Sequence, residues 1–208
     1  MKRLPMMVQL NGRHVAVIGG GGVAARRIPR LYEAGAVITV YSPTLHPTLE
    51  SYIQMEGVSW KQVAVEMTDS FDADLLFITT NNSTLNQSLY EHRHRNQWVY
   101  IADDPEKSDI HFPAVIEKQR LTIALATAGA SPTYAKRLKK NLENWLSTEI
   151  EDDLLFLENA RKAVLASGLA SQKRKQLLQE ISTESFLQDD KRALKFQQKL
   201  KKLISERL

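Results

Sequence analysis

The sequence contains no cysteine. This absence excludes disulfide bonds, thiolate zinc sites, cysteine-ligated iron–sulfur clusters and cysteine nucleophiles. Long apolar runs are also missing, and none approaches the ~20 residues that a membrane-spanning helix needs. Residues 1–5 carry two basic side chains, but the apolar segment of a secretory signal does not follow them. We therefore expect a cytoplasmic protein without membrane association.

The net charge is low, at +4, and 43% of the 208 residues are hydrophobic, as in ordinary globular proteins. The basic residues are unevenly placed, because residues 191–208 contain seven Lys or Arg and one acid. We interpret this segment chiefly as a solvated helix face. A surface for an acidic ligand and a contact with nucleic acid are the alternatives. We expect no nucleic-acid partner.

Glycine is scarce, yet four of the 9 glycines are consecutive. They follow an apolar, β-branched run at 15–18 and precede a segment with the composition of a helix. The pattern Gly19-x-Gly21-x-x-Ala24 has the dinucleotide-binding spacing, in which small residues permit a tight turn and a close approach to pyrophosphate. The phosphates would then bind at the N-terminus of the helix. A glycine-rich turn used only for packing is the alternative. The predicted cofactor contacts are Gly19, Gly21, Gly22 and Val23.

Strand and helix patterns alternate through the first part of the chain. Such alternation favours a parallel sheet with right-handed crossovers, so residues 1–113 are predicted to form a Rossmann-like, doubly wound α/β domain that binds NAD. The predicted strands are 15–18, 36–41, 58–63, 75–79 and 98–102. The predicted helices are 23–34, one ending at about residue 55, and one that Asn82 or Ser83 caps and that ends at about residue 96.

The pattern changes after Pro113. Residues 114–126 are typical of a β-hairpin, and Ser131 followed by Pro132 is typical of a helix N-cap and first helical position. We predict a dimerisation hairpin and helix at 114–147 and a helical C-terminal domain at 148–208. Three helices are expected in that domain, with breaks near Ser147, Gly168 and Ser182.

Polar residues follow the predicted second and fourth strands, at the edge of the sheet where ligands bind in this fold. An acid that would bind the ribose hydroxyls is missing after the second strand, but the hydroxyls of Ser42 and Thr44 can replace it. Because no arginine lies nearby to bind a 2′-phosphate, the pattern favours NAD over NADP. Loop hydroxyls without a ligand are the alternative. The further predicted cofactor contacts are Ser42, Pro43, Thr44, Thr80 and Asn81.

Two acids, Asp103 and Asp104, come directly after the fifth predicted strand. Acids next to a proline also form turns, so catalysis and turn formation are both open from position alone. Asp103 lies nearer the strand end and is the candidate catalytic residue. The five histidines lack the spacing of a metal site; His92 and His94, for example, are two apart on a predicted helix. We predict no metal site.

Several motifs, in one order across residues 4–140, are similar to those of the precorrin-2 dehydrogenases of siroheme synthesis. The chain resembles both the stand-alone bacterial form and the N-terminal part of the fused siroheme synthases. The residues that carry this resemblance are Leu4-Pro5, Gly19-Gly-Gly-x-Val23-Ala24 with Arg26-Arg27, Asn86-Gln87, Asp103-Asp-Pro105, Phe112-Pro113 and Gly129-x-Ser131-Pro132.

The resemblance implies oxidation of precorrin-2 to sirohydrochlorin with NAD as the hydride acceptor. The family's catalytic Asp falls on Asp103, and a serine that is phosphorylatable in fused members falls on Ser131. A homodimer is implied, in which each subunit helps to complete the cleft of the other. The tetrapyrrole carries eight carboxylates, so Arg26 and the helix N-terminus at Ser131 are the expected substrate contacts.

The chain departs from the family pattern at two positions. Tyr100 stands where the family usually has Asn. The family also usually has an aromatic residue followed by Ile in a Phe-Ile-x-Pro stretch, whereas this chain has Ile110-His111-Phe112-Pro113. Two other functions remain open. One is a bifunctional dehydrogenase and sirohydrochlorin ferrochelatase, and the other is a non-catalytic, NAD-sensing regulatory module.

Overall fold

The computed structural model describes residues 3–206. The chain forms two compact units, of which the first ends at Phe112 and the second begins at Pro113. The finer division of the chain into 1–113, 114–147 and 148–208 stays a prediction.

A five-stranded parallel sheet forms the centre of the first unit, in the order β3-β2-β1-β4-β5. The central strand pairs on both sides, since Val15 lies opposite Ile38 of β2 and Leu75 of β4. All four strand pairs are parallel. The strands are β1 (His14–Ile18), β2 (Val37–Tyr41), β3 (Val58–Lys61), β4 (Leu75–Ile78) and β5 (Trp98–Ile101). The predicted Rossmann-like, doubly wound fold is confirmed.

Helices cover both faces of this sheet. Alternate side chains of β1 point to opposite faces: Val15 and Val17 join the hydrophobic cluster that includes Ile28 of α1 (Gly22–Glu33). Ala16 and Ile18 join the cluster that includes Leu89 of α2 (Ser83–Glu91). Because β1 is apolar on both faces, it is buried in the middle of a three-layer unit, and its carboxyl end meets the glycine loop.

Two predicted helices are shorter than expected. The helix predicted to end near residue 55 is replaced by two 3₁₀ turns, Pro47–Leu49 and Tyr52–Gln54. Proline at the start of the first turn and the His46 side chain, which accepts a hydrogen bond from the Thr48 N–H, favour a short capped turn. The helix predicted to reach residue 96 ends at Glu91, where the His92 ring contacts the Ser88 carbonyl oxygen.

The second unit contains an antiparallel hairpin and five helices among its described residues. One helix more than predicted follows residue 148, because the short α6 separates α5 from α7. The predicted breaks near Ser147, Gly168 and Ser182 all fall between helices. The elements are β6 (Ala114–Glu117), β7 (Thr122–Leu125), α3 (Pro132–Trp145), α4 (Ile150–Ala166), α5 (Ser171–Ile181), α6 (Glu184–Leu187) and α7 (Arg192–Ser205). Ala160, Val164, Leu177, Ile181 and Phe196 form its buried core.

Ion pairs within the second unit engage much of the basic C-terminal segment. Three basic side chains of α7 contact acids elsewhere in the unit, in the pairs Arg192–Asp153, Lys195–Asp189 and Lys199–Glu180. The segment therefore presents less uncompensated positive charge than its sequence indicates. Between residues 3 and 206, no helix is long and apolar enough to cross a membrane.

Glu158 of α4 accepts hydrogen bonds from two basic side chains. Arg120, in the turn of the β6–β7 hairpin, contacts it at 2.8 Å, and Lys162 contacts it from the next turn of α4 at 2.5 Å. The Arg120 guanidinium, followed by the Lys162 ammonium, lowers the pKa of Glu158 to about 2 from an ordinary value of 4.5. This carboxylate therefore links the hairpin to α4.

We predict that this link depends on pH in the acid range. A carboxyl group whose pKa is lowered by folding stabilises the protein above its unfolded pKa, and this contribution is lost as the pH falls from about 4.5 to about 2. Glu158→Gln should lower the urea midpoint at pH 7, and its difference from the wild type should shrink over that range. Because the pair is exposed, the difference is small. A Glu143→Gln variant, which loses an ion pair within one helix, is the control. A constant difference at all pH values would contradict the assignment.

Candidate cofactor and active site

The glycine loop begins where β1 ends and turns at once. Gly19 has a φ of +101°, a left-handed conformation that favours glycine. Its N–H donates to the Tyr41 carbonyl oxygen at 2.9 Å. A Cβ atom at this position would lie 3.1 Å from Thr79, at the end of β4. Gly19 therefore brings the ends of three strands close together.

Gly20 packs against the loop that follows β2. A Cβ atom here would lie 2.4 Å from the Thr44 carbonyl oxygen and 2.5 Å from Ser42 Oγ, so no side chain fits. The His46 N–H donates to the Gly20 carbonyl oxygen at 2.7 Å and fixes the contact. The pattern Gly19-x-Gly21-x-x-Ala24 allows any residue at position 20, so the sequence alone did not predict this role of Gly20.

Gly21 faces open space. A Cβ atom there would have no neighbour within 4 Å, and the residue is the N-cap of α1. Gly22 and Val23 follow in the first turn, where helix geometry leaves the N–H groups without partners inside the helix. An open approach to a helix N-terminus fits the pyrophosphate of a dinucleotide.

The residues after β2 differ in their exposure. Ser42 is buried, 2% exposed, and its hydroxyl has no hydrogen-bond partner within residues 3–206. The Trp60 indole N–H donates to the Ser42 carbonyl oxygen at 3.0 Å, and the Gln62 amide donates to the Pro43 carbonyl oxygen at 3.2 Å. Pro43 and Thr44 are exposed. The Thr44 hydroxyl is therefore accessible to a ribose, whereas Ser42 lies beneath the glycine loop.

A network of polar side chains links the ends of β4 and β5 through α2. Asn86, 2% exposed, donates from Nδ2 to Asp103 Oδ1 at 2.9 Å and to the Thr80 carbonyl oxygen at 3.2 Å. Its Oδ1 accepts a hydrogen bond from the Thr80 hydroxyl. Asn82 caps α2 by accepting from the Leu85 N–H, and Asn81 is exposed beside it. Asn86, for which the sequence predicted no role, thus links Thr80 to Asp103.

Asp104 has the contacts of a turn residue. Its carboxylate accepts hydrogen bonds from the N–H groups of Glu106 and Lys107, both at 3.2 Å, and pairs with the Lys107 ammonium at 3.3 Å. Partial burial acts to raise the pKa of this carboxyl, but the backbone and side-chain contacts with Lys107 outweigh it and hold the pKa below its ordinary value. Asp103 is exposed, and within residues 3–206 its Oδ2 has no partner.

The two adjacent arginines of α1 differ in their surroundings. The guanidinium of Arg27 lies 4.3 Å from the centroid of the Phe112 ring and 6.0 Å from that of Tyr100. The two rings contact each other at 5.2 Å, and Tyr100 also stacks on Phe77 at 4.3 Å. Tyr100 therefore packs against Phe112, which belongs to the stretch where the chain departs from the family pattern a second time. Arg26 is exposed, so it is the arginine available to a ligand.

Ser131 belongs to the second unit and is the N-cap of α3. Its hydroxyl accepts a hydrogen bond from the Tyr134 N–H at 3.1 Å, and its own N–H donates to the Thr127 hydroxyl at 3.2 Å. Pro132 occupies the first helical position, as predicted. Across residues 3–206, no group of three or more histidine or acidic side chains is placed to hold a metal ion.

Comparison with known proteins identifies the nucleotide-binding unit. Residues 6–114 match a family described as "Putative NAD(P)-binding". The chain belongs to this family. The chain is also 36% identical over 148 residues to a siroheme synthase of Zymomonas mobilis, covering 69% of this chain and 31% of that protein. Binding of a nicotinamide dinucleotide at the glycine loop agrees with both findings.

Stand-alone relatives match over most of their length. A precorrin-2 dehydrogenase of Priestia megaterium is 29% identical over 181 residues, which cover 87% of this chain and 90% of that protein. The solved structure of SirC, a precorrin-2 dehydrogenase, superimposes with a TM-score of 0.83 at 27% identity, covering 96% of this chain and 99% of that one. The chain thus spans about a third of the siroheme synthase but nearly all of the stand-alone proteins. The resemblance to precorrin-2 dehydrogenases is confirmed.

We predict that one added methyl group chiefly lowers protein stability at Gly20 and chiefly weakens NAD binding at Gly21. Gly20→Ala should destabilise the protein by about 1–3 kcal/mol, because the new Cβ overlaps the Thr44 carbonyl oxygen. Gly21→Ala should lower the thermal midpoint less, by the small cost of alanine at an N-cap, but weaken NAD binding about tenfold, because it occupies space that the pyrophosphate needs. Thermal denaturation and fluorescence titration with NAD measure the two effects. Equal loss of stability in both variants would contradict this interpretation.

Proposed function

We propose that the chain is an NAD-dependent precorrin-2 dehydrogenase, which oxidises precorrin-2 to sirohydrochlorin in siroheme biosynthesis. Similarity to stand-alone proteins of that name over 90% or more of their length supports the substrate class. One observation in the structure carries the reaction type. The carboxylate of Asp103, at the same sheet edge as the glycine loop, keeps one oxygen free and has the other held by Asn86.

Dehydrogenation removes a hydride from one atom of the substrate and a proton from another. When bound, the nicotinamide supplies the hydride acceptor. Asp103 supplies the proton acceptor, through its free Oδ2. Gly21 admits the pyrophosphate, the N–H groups of Gly22 and Val23 bind it, and Thr80 and Asn81 border the cofactor at the end of β4.

The contacts after β2 support NAD as the preferred dinucleotide. Thr44 is exposed at the strand end and offers a hydroxyl to the ribose, with Pro43 beside it. Ser42 acts from beneath, by filling the space that Gly20 leaves open. No arginine occurs between residues 31 and 92 of the sequence, so this loop carries none that could bind a 2′-phosphate.

The proposed contacts for the carboxylates of the tetrapyrrole are an exposed arginine and a helix N-terminus. Arg26 is exposed, whereas Arg27 is engaged with aromatic rings. At the N-terminus of α3, which Ser131 caps, the Thr133 N–H is the donor left for a substrate carboxylate, because Pro132 has no N–H and the Tyr134 N–H donates to Ser131. The location in the cytoplasm stays a prediction.

We also propose that the chain forms a homodimer through α3. The exposed side chains of Tyr134 and Trp145, 49% and 77% exposed, lie three turns apart and therefore on one face of this helix. Half-buried Leu138 and Leu142 lie between them on the same face. A second copy of the same face would bury this apolar stripe.

Sedimentation at micromolar concentrations should give twice the mass of one chain. Trp145→Asp should shift the protein towards the monomer, because it places a charge in the stripe. Leu194→Asp changes an equally apolar, exposed residue of α7 and should leave the mass unaltered. A wild-type protein that sediments as a monomer would contradict the proposed dimer.

The proposed reaction predicts that NADH absorbance rises when protein, NAD and precorrin-2 are mixed, together with the spectrum of sirohydrochlorin. Asp103→Ala should lower turnover by ~10²-fold, the usual scale for an acid–base group. NAD affinity should change little, because the glycine loop binds the nucleotide.

Asp104→Ala is the matched control for this prediction. It removes the adjacent carboxylate, whose partners are the Glu106 and Lys107 N–H groups, and should lower the thermal midpoint slightly while leaving turnover near normal. If Asp104→Ala is the inactive variant, the two roles are reversed. If no NADH forms with any variant, the regulatory alternative gains support. The ferrochelatase alternative is tested by adding ferrous ion to the protein and sirohydrochlorin. It requires that iron enter sirohydrochlorin faster than it does without the protein.

A further inference from the structure

Asn86 is a polar side chain deeply buried beside the candidate active site, with 2% of its surface exposed. It lies on the inner face of α2, three residues before the buried Leu89. Burial of an amide is costly unless its donors and acceptor are paired. All three of its side-chain hydrogen bonds are directed to residues that follow β4 and β5, rather than to the helix to which it belongs.

The hydrogen bonds of Asn86 permit only one orientation of its amide. Nδ2 donates to the Thr80 carbonyl oxygen and to Asp103 Oδ1, and both of these atoms accept hydrogen bonds only. Oδ1 accepts from the Thr80 hydroxyl, which in turn accepts from the Asn82 N–H at 3.1 Å. Rotating the amide by half a turn would bring its oxygen against a carbonyl oxygen and a carboxylate. The donor to Asp103 is therefore held in place by two contacts with Thr80.

Asp103 depends on this contact for its own orientation. It is exposed, and Asn86 is its single side-chain partner within residues 3–206. Without Asn86, the carboxylate could rotate freely about its side-chain bonds. With it, Oδ1 is occupied, and Oδ2 is the oxygen left for the substrate.

We infer that Asn86 is a positioning residue, which acts on the reaction through Asp103 by presenting Oδ2 to precorrin-2. This inference rests on the proposed function. In addition to the proposed function, we infer that Asn86 holds three parts together: α2, Thr80 at the end of β4, and the Asp103 carboxylate after β5. A group held in this way reacts faster, because misplacement by about 1 Å can lower a rate by about 10²-fold.

A double-mutant cycle between Asn86→Ala and Asp103→Ala tests this inference. Steady-state turnover at saturating NAD and precorrin-2 is followed by NADH absorbance and gives kcat. In the wild-type background, Asn86→Ala should lower kcat by about 10- to 100-fold and leave the NAD dissociation constant unchanged. In the Asp103→Ala background, the same change should lower the rate by less than about twofold, because the group on which Asn86 acts is gone.

Two further variants keep the test independent of folding. Asn86→Leu keeps a side chain of similar size but has no N–H donors, so it should lower kcat about as much as Asn86→Ala, with no cavity. Ser88→Ala, on the same helix, loses a hydrogen bond to the Met67 carbonyl oxygen and does not contact Asp103. Its kcat should equal that of the wild type. A merely structural role of Asn86 would weaken NAD binding and act equally in both backgrounds.

The possible failures are distinguishable. If the wild type forms no NADH with precorrin-2, the proposed function fails. If the wild type is active but Asp103→Ala is equally active, the catalytic role of Asp103 and the positioning role of Asn86 both fail. If Asn86→Ala retains full turnover, or lowers it by the same factor in both backgrounds, only the positioning role is overturned.

Discussion

Gly20 lies so close to the loop after β2 that the space for one methyl group is already filled by a carbonyl oxygen and a hydroxyl. This contact joins the ends of β1 and β2, and the Thr79 hydroxyl, which donates to the Ile18 and Gly19 carbonyl oxygens, joins β4 to them. Because Gly20 directly precedes the N-cap of α1, this packing fixes the position of the first turn of the helix. The open side of the loop, at Gly21, is therefore rigid as well as accessible, which suits a site that binds a large, charged cofactor.

Two adjacent pairs of residues connect α2 to the segment after β5. Asn86 contacts Asp103, while its neighbour Gln87 contacts Lys107, which pairs with Asp104. The contact between Asn86 and Asp103 is buried at Asn86 and leaves one oxygen of the Asp103 carboxylate free within residues 3–206. The contacts of Lys107 with Gln87 and Asp104 are half-exposed and close a turn. Two acids that look equivalent in the sequence thus differ in their contacts. The Asp104 carboxylate is engaged by two backbone N–H groups and the Lys107 ammonium, whereas Asp103 keeps one oxygen without a partner within residues 3–206.

The alternating strands, the glycine loop and the caps at Asn82 and Ser131 were predictable, because each depends on a few neighbouring residues. The role of Gly20 was not, since it arises from Thr44, which is distant in sequence. The position of Asn86, three residues before an apolar residue of α2, indicates an inward side chain, but its partner is known only from the fold. Similarly, the charge pattern of α7 gave no sign that its basic side chains pair with acids of other helices.

Trp60 gives the protein an internal optical probe. Its indole N–H donates to the carbonyl oxygen of Ser42, directly beneath the glycine loop. Indole emission responds to the polarity and hydrogen bonding around the ring. Of the other two tryptophans, Trp98 begins β5 at the opposite edge of the sheet, and Trp145 belongs to the second unit. Changes in the emission of Trp60 therefore report the state of the nucleotide loop without a label attached to the chain.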